Sequence, residues 1–210
     1  MTLVERVRPA AGEPEGALVL LHGRGADEND LHGLLDQLDP GRRLVGVTPR
    51  APLSLPPGGA HWYAVYRVGF PDPDTFWPTF EQLCAWYDAL PERLGFPADR
   101  IVLGGFSQGC VMSYALGLQA GRPAPRVLLA MSGFMPVVEG LDLDLDRPGL
   151  EVVVEHGADD PVIGVGFARE ARTRLAGTPV HLAYREFGGG HWVDPGALAP
   201  LHAAIDAALG

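Results

Sequence analysis

Short, unbroken apolar runs alternate along this chain with stretches of helical spacing. Ala17–Leu21, Leu44–Val47, Ile101–Leu103, Val127–Ala130, Glu151–Glu155 and His181–Phe187 have the length and β-branched content of strands. Between them lie Leu31, Leu34, Leu35 and Leu38; then Phe80, Leu83, Cys84, Tyr87 and Leu90; then Val111, Met112, Ala115, Leu116 and Gln119. A further helix is expected over Ile163–Leu175, and Leu198, Leu201, Ile205 and Leu209 share one face of a closing helix. Asp27, Asn29 and Asp30 are the expected caps of the first helix. The second is expected to begin at Thr79 and to end or kink at Pro91. Leu141–Asp146 alternates Leu with Asp, but flanking Pro and Gly favour a surface loop over an edge strand. Strand and helix in regular alternation predict a doubly wound, mostly parallel α/β sheet covered on both faces, with its site at the carboxyl edge of the strands. Neither repeat nor linker interrupts it, so residues 1–210 are expected to form a single domain.

Five residues stand out against this pattern. Gly105-Phe106-Ser107-Gln108-Gly109 joins an apolar strand to a helix. A serine at such a turn is held in a strained conformation with its hydroxyl above the sheet edge, and a residue two places either side must be small to clear the neighbouring strand and helix. The alternative is a glycine-rich helix start with Ser107 as cap. A serine hydroxyl is a weak nucleophile until a base takes its proton, so Ser107 as nucleophile calls for an imidazole and a carboxylate to orient it. Of seven histidines, His22 and His156 end strands but run directly into turn-forming glycines, His181 lies within a strand, and His32, His61 and His202 fall on helices or loops. His191 follows the last strand in a glycine-rich turn, downstream of the acids Asp159 and Asp160, in the order serine, acid, histidine. Either aspartate could orient it while the other caps the helix expected after Pro161.

The turn His22-Gly23-Arg24-Gly25 after the first long strand is placed to aim a main-chain N–H at a developing oxyanion, with Arg24 and Gln108 as the two donors. A dinucleotide site is disfavoured because the third glycine of that fingerprint falls on Glu28. The proline- and glycine-rich segment from Pro49 to Pro78 lacks periodicity. It carries Trp62, Tyr63 and Trp77 beside Phe70 and Phe76, read as the wall of an apolar acyl site with Trp62, Phe70 and Trp77 as the candidate substrate contacts or, on the plainer reading, as loop packing.

Composition narrows the function further. Net charge is −10, and all sixteen basic residues are arginine. Phosphate backbones are bound by clustered basic residues, so nucleic acid is not an expected partner. Without lysine there is neither a P-loop nor Schiff-base chemistry. Cys84 and Cys110 sit in helical apolar stretches without metal-ligand spacing, and no HExxH occurs, so no metal or cofactor is expected. The amino terminus lacks the apolar core of a signal peptide and no run is long enough for a membrane span, which suggests a cytoplasmic protein, possible as monomer or homodimer.

Taken together, LHGRG, GGFSQG, HGADDPVI and GGGH, in this order over nearly the full chain, resemble the small serine hydrolases of the phospholipase/carboxylesterase family, which includes acyl-protein thioesterases and bacterial carboxylesterases. The resemblance implies an α/β-hydrolase fold, no cofactor, and hydrolysis of carboxylic esters or thioesters. By motif it assigns Ser107 as nucleophile, Asp160, the aspartate before proline, as acid, His191 as base, and Arg24 and Gln108 as oxyanion-hole positions. Acyl-protein thioesterases tend to carry an apolar residue where this chain has Arg24, which favours short to medium acyl chains over long lipids. An acyltransferase or lysophospholipase could use the same triad, and a silent binding module the same pocket.

Overall fold

The computed structural model describes residues 3–209. Its centre is a seven-stranded sheet of β1 (Glu5–Arg8), β2 (Ala17–Leu21), β3 (Val45–Pro49), β6 (Ile101–Phe106), β7 (Val127–Met131), β8 (Glu151–Gly157) and β9 (His181–Phe187), in the order β1-β3-β2-β6-β7-β8-β9. A separate hairpin pairs β4 (Leu53–Leu55) with β5 (Gly59–His61). The helices are α1 (His32–Leu38), α2 (Pro73–Asp88), α3 (Leu90–Leu94), α4 (Gln108–Leu118), α5 (Gly166–Leu175) and α6 (Leu198–Leu209). Every neighbouring pair in the large sheet is parallel except β1 with β3.

The central strands read as unbroken apolar runs because both faces are covered. Ala17, Val19 and Leu21 of β2 join the core that includes α2, α4 and α5, while Leu18 and Leu20 join a second core with α1 and α6. Consecutive strands β2 and β3 wind towards one edge, and β6 then starts the other half beside β2, with Leu21 opposite Gly105. At that reversal the loops following β2 and β6 diverge, leaving a crevice at the carboxyl edge.

Three differences from the sequence reading have local causes. Strand β1 was not expected: its four residues are mostly polar and half-exposed, and pairing to the sheet margin defines it as a strand. Its Arg8 is buried and reaches Asp39 at 2.6 Å, just past the end of α1, and Asp39 also accepts from the Arg43 and Leu44 N–H groups. Helix α2 begins at Pro73, six residues before Thr79, because Asp72 caps it by accepting from Thr75 N at 3.1 Å. Pro73 needs no hydrogen-bond partner at the first helical position, and Pro78 faces solvent one turn later. Helix α1 is entered through Leu31 with no side-chain cap, and Asp27 instead closes a turn onto Asn29 N. As expected, Leu141–Asp146 is irregular, apart from a single bridge between Leu143 and Gln119.

Helix α4 is buried along its whole length and lies hard against β2: a Cβ on Gly109 would come within 2.0 Å of the Leu21 carbonyl oxygen. Gly33 in α1 faces open space. Gly109→Ala is therefore expected to destabilise the protein by more than about 3 kcal/mol, or to prevent folding, whereas Gly33→Ala should be neutral or gain about 0.5–1 kcal/mol. Thermal melts followed by circular dichroism check both, and equal melting temperatures for the two variants would contradict the packing described.

Candidate active site

Ser107 leaves β6 with φ 56° and ψ −118°, the left-handed region that a serine adopts only when its surroundings impose it. Three contacts impose it. Ser107 N–H donates to the Met131 carbonyl of β7, a Cβ on Gly105 would lie 2.4 Å from Gly109 backbone atoms, and Gly109 meets Leu21 as described. Strand, turn and helix are thereby locked with the hydroxyl presented above the sheet.

Two further loops reach the same point. Strands β8 and β9 stay in register to Gly157 opposite Phe187, and their loops continue the contact: Ala158 N–H donates to Phe187 O and Asp159 N–H to Gly189 O. A Cβ on Gly157 would sit 2.2 Å from Gly190 O, so only glycine allows this approach. The consequence is a chain of hydrogen bonds. His191 Nδ1 lies 2.7 Å from Asp160 Oδ2, and His191 Nε2 lies 2.8 Å from Ser107 Oγ. With Nδ1 protonated toward the carboxylate, Nε2 is free to accept the serine proton. The imidazole also packs on the Phe106 ring, centroids 4.8 Å apart.

Between the two neighbouring aspartates, it is Asp160 that faces His191, while Asp159 is exposed and contributes its main-chain N–H. Asp160 does both jobs the sequence left to divide: Oδ2 meets His191, and Oδ1 accepts from Val162 N and Ile163 N at 2.8 and 2.9 Å. The turn it closes precedes α5, which starts only at Gly166, later than the expected Ile163. Burial alone would raise the Asp160 pKa, but the hydrogen bonds from His191, Ile163 and Val162 outweigh it and hold the carboxyl below its ordinary value.

The remaining supports are less obvious from sequence. His156 is buried, donates from Nε2 to Ile163 O at 2.7 Å, and has the same nitrogen 3.4 Å from Asp160 Oδ2. Burial keeps its pKa below the ordinary histidine value. Beyond His191, the buried Glu155 accepts from Arg185 at 2.8 Å, and Arg185 donates at 2.6 Å to Asp194, tying the histidine turn to β8 and β9.

Arg24 and Gln108 both line the cavity beside Ser107. Gln108 N–H is at the first turn of α4, which leaves it without an intrahelical acceptor. Gly23 brings the Arg24 loop close, since a Cβ there would lie 3.3 Å from Ser107 Cβ. Among the described residues neither N–H has an acceptor. The Gln108 side chain has a separate task, accepting from Trp62 N at 2.8 Å and donating to Tyr63 O at 2.7 Å. His22 is held as a neutral ring by accepting at Nε2 from Ala51 N and donating at Nδ1 to Gly23 O.

The cavity measures about 90 Å³ and is lined by Tyr63, Val65, Val68, Phe134, Val162 and Ile163, with Arg24 and Arg67 among its charged members. Of the aromatics the segment offers, Tyr63 lines it, whereas the candidate contacts Trp62, Phe70 and Trp77 do not. Trp62 is fully buried and donates its indole N–H to His22 O, because the loop turns it inward. Trp77 packs on Phe76 and Phe80 and donates to Glu139 O. Phe70 is exposed, with the Arg67 guanidinium 4.2 Å above its ring. The lining residues instead come from the 63–68 loop and from loops after β7 and β8, and position at a strand's carboxyl end is the signal that would have found Phe134, Val162 and Ile163. Among the described residues no three His, Cys, Asp or Glu side chains are grouped to hold a metal ion, and no helix is long and apolar enough to cross a membrane.

A carboxyl whose folded-state pKa lies below its unfolded one stabilises the fold above the unfolded value and loses that gain as pH falls through the folded one. The stability advantage of wild type over Asp160→Asn is thus expected to hold near neutrality and to narrow as pH drops from about 5 towards 2. Urea melts across this range check it, and an advantage that widens on acidification would contradict the hydrogen-bonded carboxylate.

Comparison with known proteins agrees with this architecture. The sequence model of the phospholipase/carboxylesterase family matches residues 3–198. A search of curated proteins finds no match. Among solved structures, the Bacillus cereus carboxylesterase superposes with a TM-score of 0.85 at 20% identity, covering 98% of this chain and 94% of that one. Esterase PE8 gives 0.81 at 26% identity over 99% of both chains, and Zea mays acyl-protein thioesterase 2 gives 0.75 at 21% identity over 99% of both. The mostly parallel sheet and a family match that spans nearly the whole chain lead to one conclusion: the chain belongs to the phospholipase/carboxylesterase family of α/β-hydrolases.

Proposed function

We propose that this protein is a serine carboxylesterase, acting as a single domain on small esters or thioesters of short to medium acyl chains. The observation that carries the reading is the continuous hydrogen-bonded chain from Ser107 through His191 to Asp160. His191 Nε2 takes the Ser107 proton as Oγ attacks the acyl carbonyl. The resulting oxyanion faces the main-chain N–H groups of Arg24 and Gln108, donors that are already oriented and need no reorganisation as charge develops. His191 returns its proton to the leaving alcohol or thiol, leaving an acyl-serine. Water, deprotonated by the same imidazole, then releases the acid and regenerates Ser107. Asp160 keeps the imidazole in the required tautomer and stabilises its protonated form.

The small apolar cavity supports the chain-length limit. Each methylene buried there would contribute about 0.8 kcal/mol, but only until the space is filled.

Two rate measurements test the proposal. Ser107→Ala should lower kcat on a short p-nitrophenyl ester on the order of 10⁴-fold to 10⁶-fold, Asp160→Asn by roughly 10³-fold to 10⁴-fold, and Asp159→Asn by less than about tenfold. With all three folded, a Ser107→Ala enzyme retaining a tenth of the rate, or Asp159→Asn the worse of the two acid variants, would overturn the assignment. Across acyl lengths, kcat/KM should rise to about four to six carbons and then level or fall, while a rise continuing to about sixteen carbons would indicate a lipid channel instead.

A further inference from the structure

The charged groups at this cavity run against the character of the protein as a whole. The chain carries a net −10, yet none of the ten residues lining the cavity is acidic and two, Arg24 and Arg67, are arginine. Many of the other arginines pair with carboxylates, among them Arg8 with Asp39, Arg50 with Asp27 and Glu28, Arg93 with Glu5, and Arg185 with Glu155 and Asp194. Neither Arg24 nor Arg67 has a carboxylate partner among the described residues, and both are exposed. The acids nearest Arg24 in sequence, Asp27 and Glu28, are taken up by Arg50, and Asp160 by His191, Val162 and Ile163.

Arg67 is also held in place. Residues 67–70 form a tight turn in which Phe70 N–H donates to Arg67 O, Gly69 has φ +92°, and a Cβ on Gly69 would meet the Phe167 ring at 2.8 Å. Phe167 packs in turn on Phe134 of the cavity wall, and the Arg67 guanidinium rests over the Phe70 ring. The turn therefore places Arg67 on one wall of the cavity, with Arg24 beside Ser107 as the second cation.

Taking Ser107 as the nucleophile of the proposed esterase, on which this step rests, we infer that the preferred substrate carries a carboxylate on its acyl part: a monoester of a short dicarboxylic acid. The methylenes between the two carbonyl carbons occupy the apolar cavity lined by Val65, Val68 and Phe134, and the free carboxylate meets Arg24 and Arg67. Guanidinium groups are always charged at neutral pH and bind a carboxylate through paired N–H donors. Hydrolysis consumes one water, which supplies the oxygen of the new carboxylate and the proton of the released alcohol. The other proton of the water leaves the new carboxyl at neutral pH, so the products are a dicarboxylate, the alcohol and one released proton.

The test compares, in a pH-stat, monoethyl glutarate with ethyl pentanoate, an uncharged acyl group of equal length, and with a pentanoate ester of glycerol phosphate, which puts the anion on the leaving group. Wild type should prefer monoethyl glutarate over ethyl pentanoate by about tenfold in kcat/KM, chiefly through KM. That ratio should fall towards one in Arg67→Gln and in about 0.5 M salt, where charge interactions are screened. Equal or better turnover of ethyl pentanoate by wild type, or a ratio unchanged in folded Arg67→Gln, overturns the inference while leaving the esterase reading intact. Preference for the glycerol phosphate ester over the glutarate overturns the acyl-side placement. Failure of the esterase reading looks different: none of the three esters is hydrolysed.

Discussion

The site depends on how closely helix α4 approaches the sheet. Ser107 occupies a backbone conformation that costs on the order of 1–3 kcal/mol for a residue with a side chain, and the fold holds it there because glycines at 105 and 109 let strand and helix meet at main-chain contact. That contact fixes the origin and direction of the hydroxyl, and it places Gln108 N–H at the first turn of α4. The Gln108 side chain then fastens the 62–63 loop, so the same turn sets the Ser107 hydroxyl, the Gln108 N–H and one cavity wall. Ser107 and Gln108 are thus anchored on β6 and α4, whereas Arg24, Asp160 and His191 come from the loops that follow β2, β8 and β9.

A second close approach brings His191 to Ser107. Gly157 lets the loop after β8 run against the main chain of Gly189 and Gly190 in the loop after β9, which puts Asp160 and His191 within hydrogen-bond distance although 31 residues separate them. The pair is braced on both sides. His156 and the Val162 and Ile163 N–H groups hold the acid, while Glu155, Arg185 and Asp194 secure the histidine turn. The Glu155 pKa is raised by burial, with the Arg185 hydrogen bond opposing that rise. Such a network adds little net stability for the charge it buries but defines one position for the loop it holds.

Much of this was legible in the sequence because the constraints are local. Glycine two positions from a serine, a histidine beyond the last strand and an aspartate before proline each report a close approach or a cap, and the main parallel strands were apolar on both faces. The cavity wall was less legible. Trp62, Phe70 and Trp77 were chosen for aromatic bulk, but which way a side chain turns in an irregular segment is set by tertiary partners: Trp62 by His22 O, Trp77 by Glu139 O, Phe70 by Arg67. Strand β1 was missed for the same reason, since its residues are mostly polar and its identity comes from pairing with β3. The start of α2 lies earlier than the spacing suggests because Pro73 and Pro78 read as breaks in sequence, whereas Pro73 takes the first helical position and Pro78 lies inside the helix on its exposed side.

The central claim is that Ser107 is made nucleophilic by His191 and Asp160. It is tested most directly by treating the folded protein with a fluorophosphonate at neutral pH and mapping the adduct by peptide mass spectrometry. The account predicts one equivalent of phosphonyl group on Ser107, formed far more slowly when His191 is replaced by Ala. No adduct on folded protein, an adduct on another residue, or labelling of Ser107 at an unchanged rate in His191→Ala would contradict it.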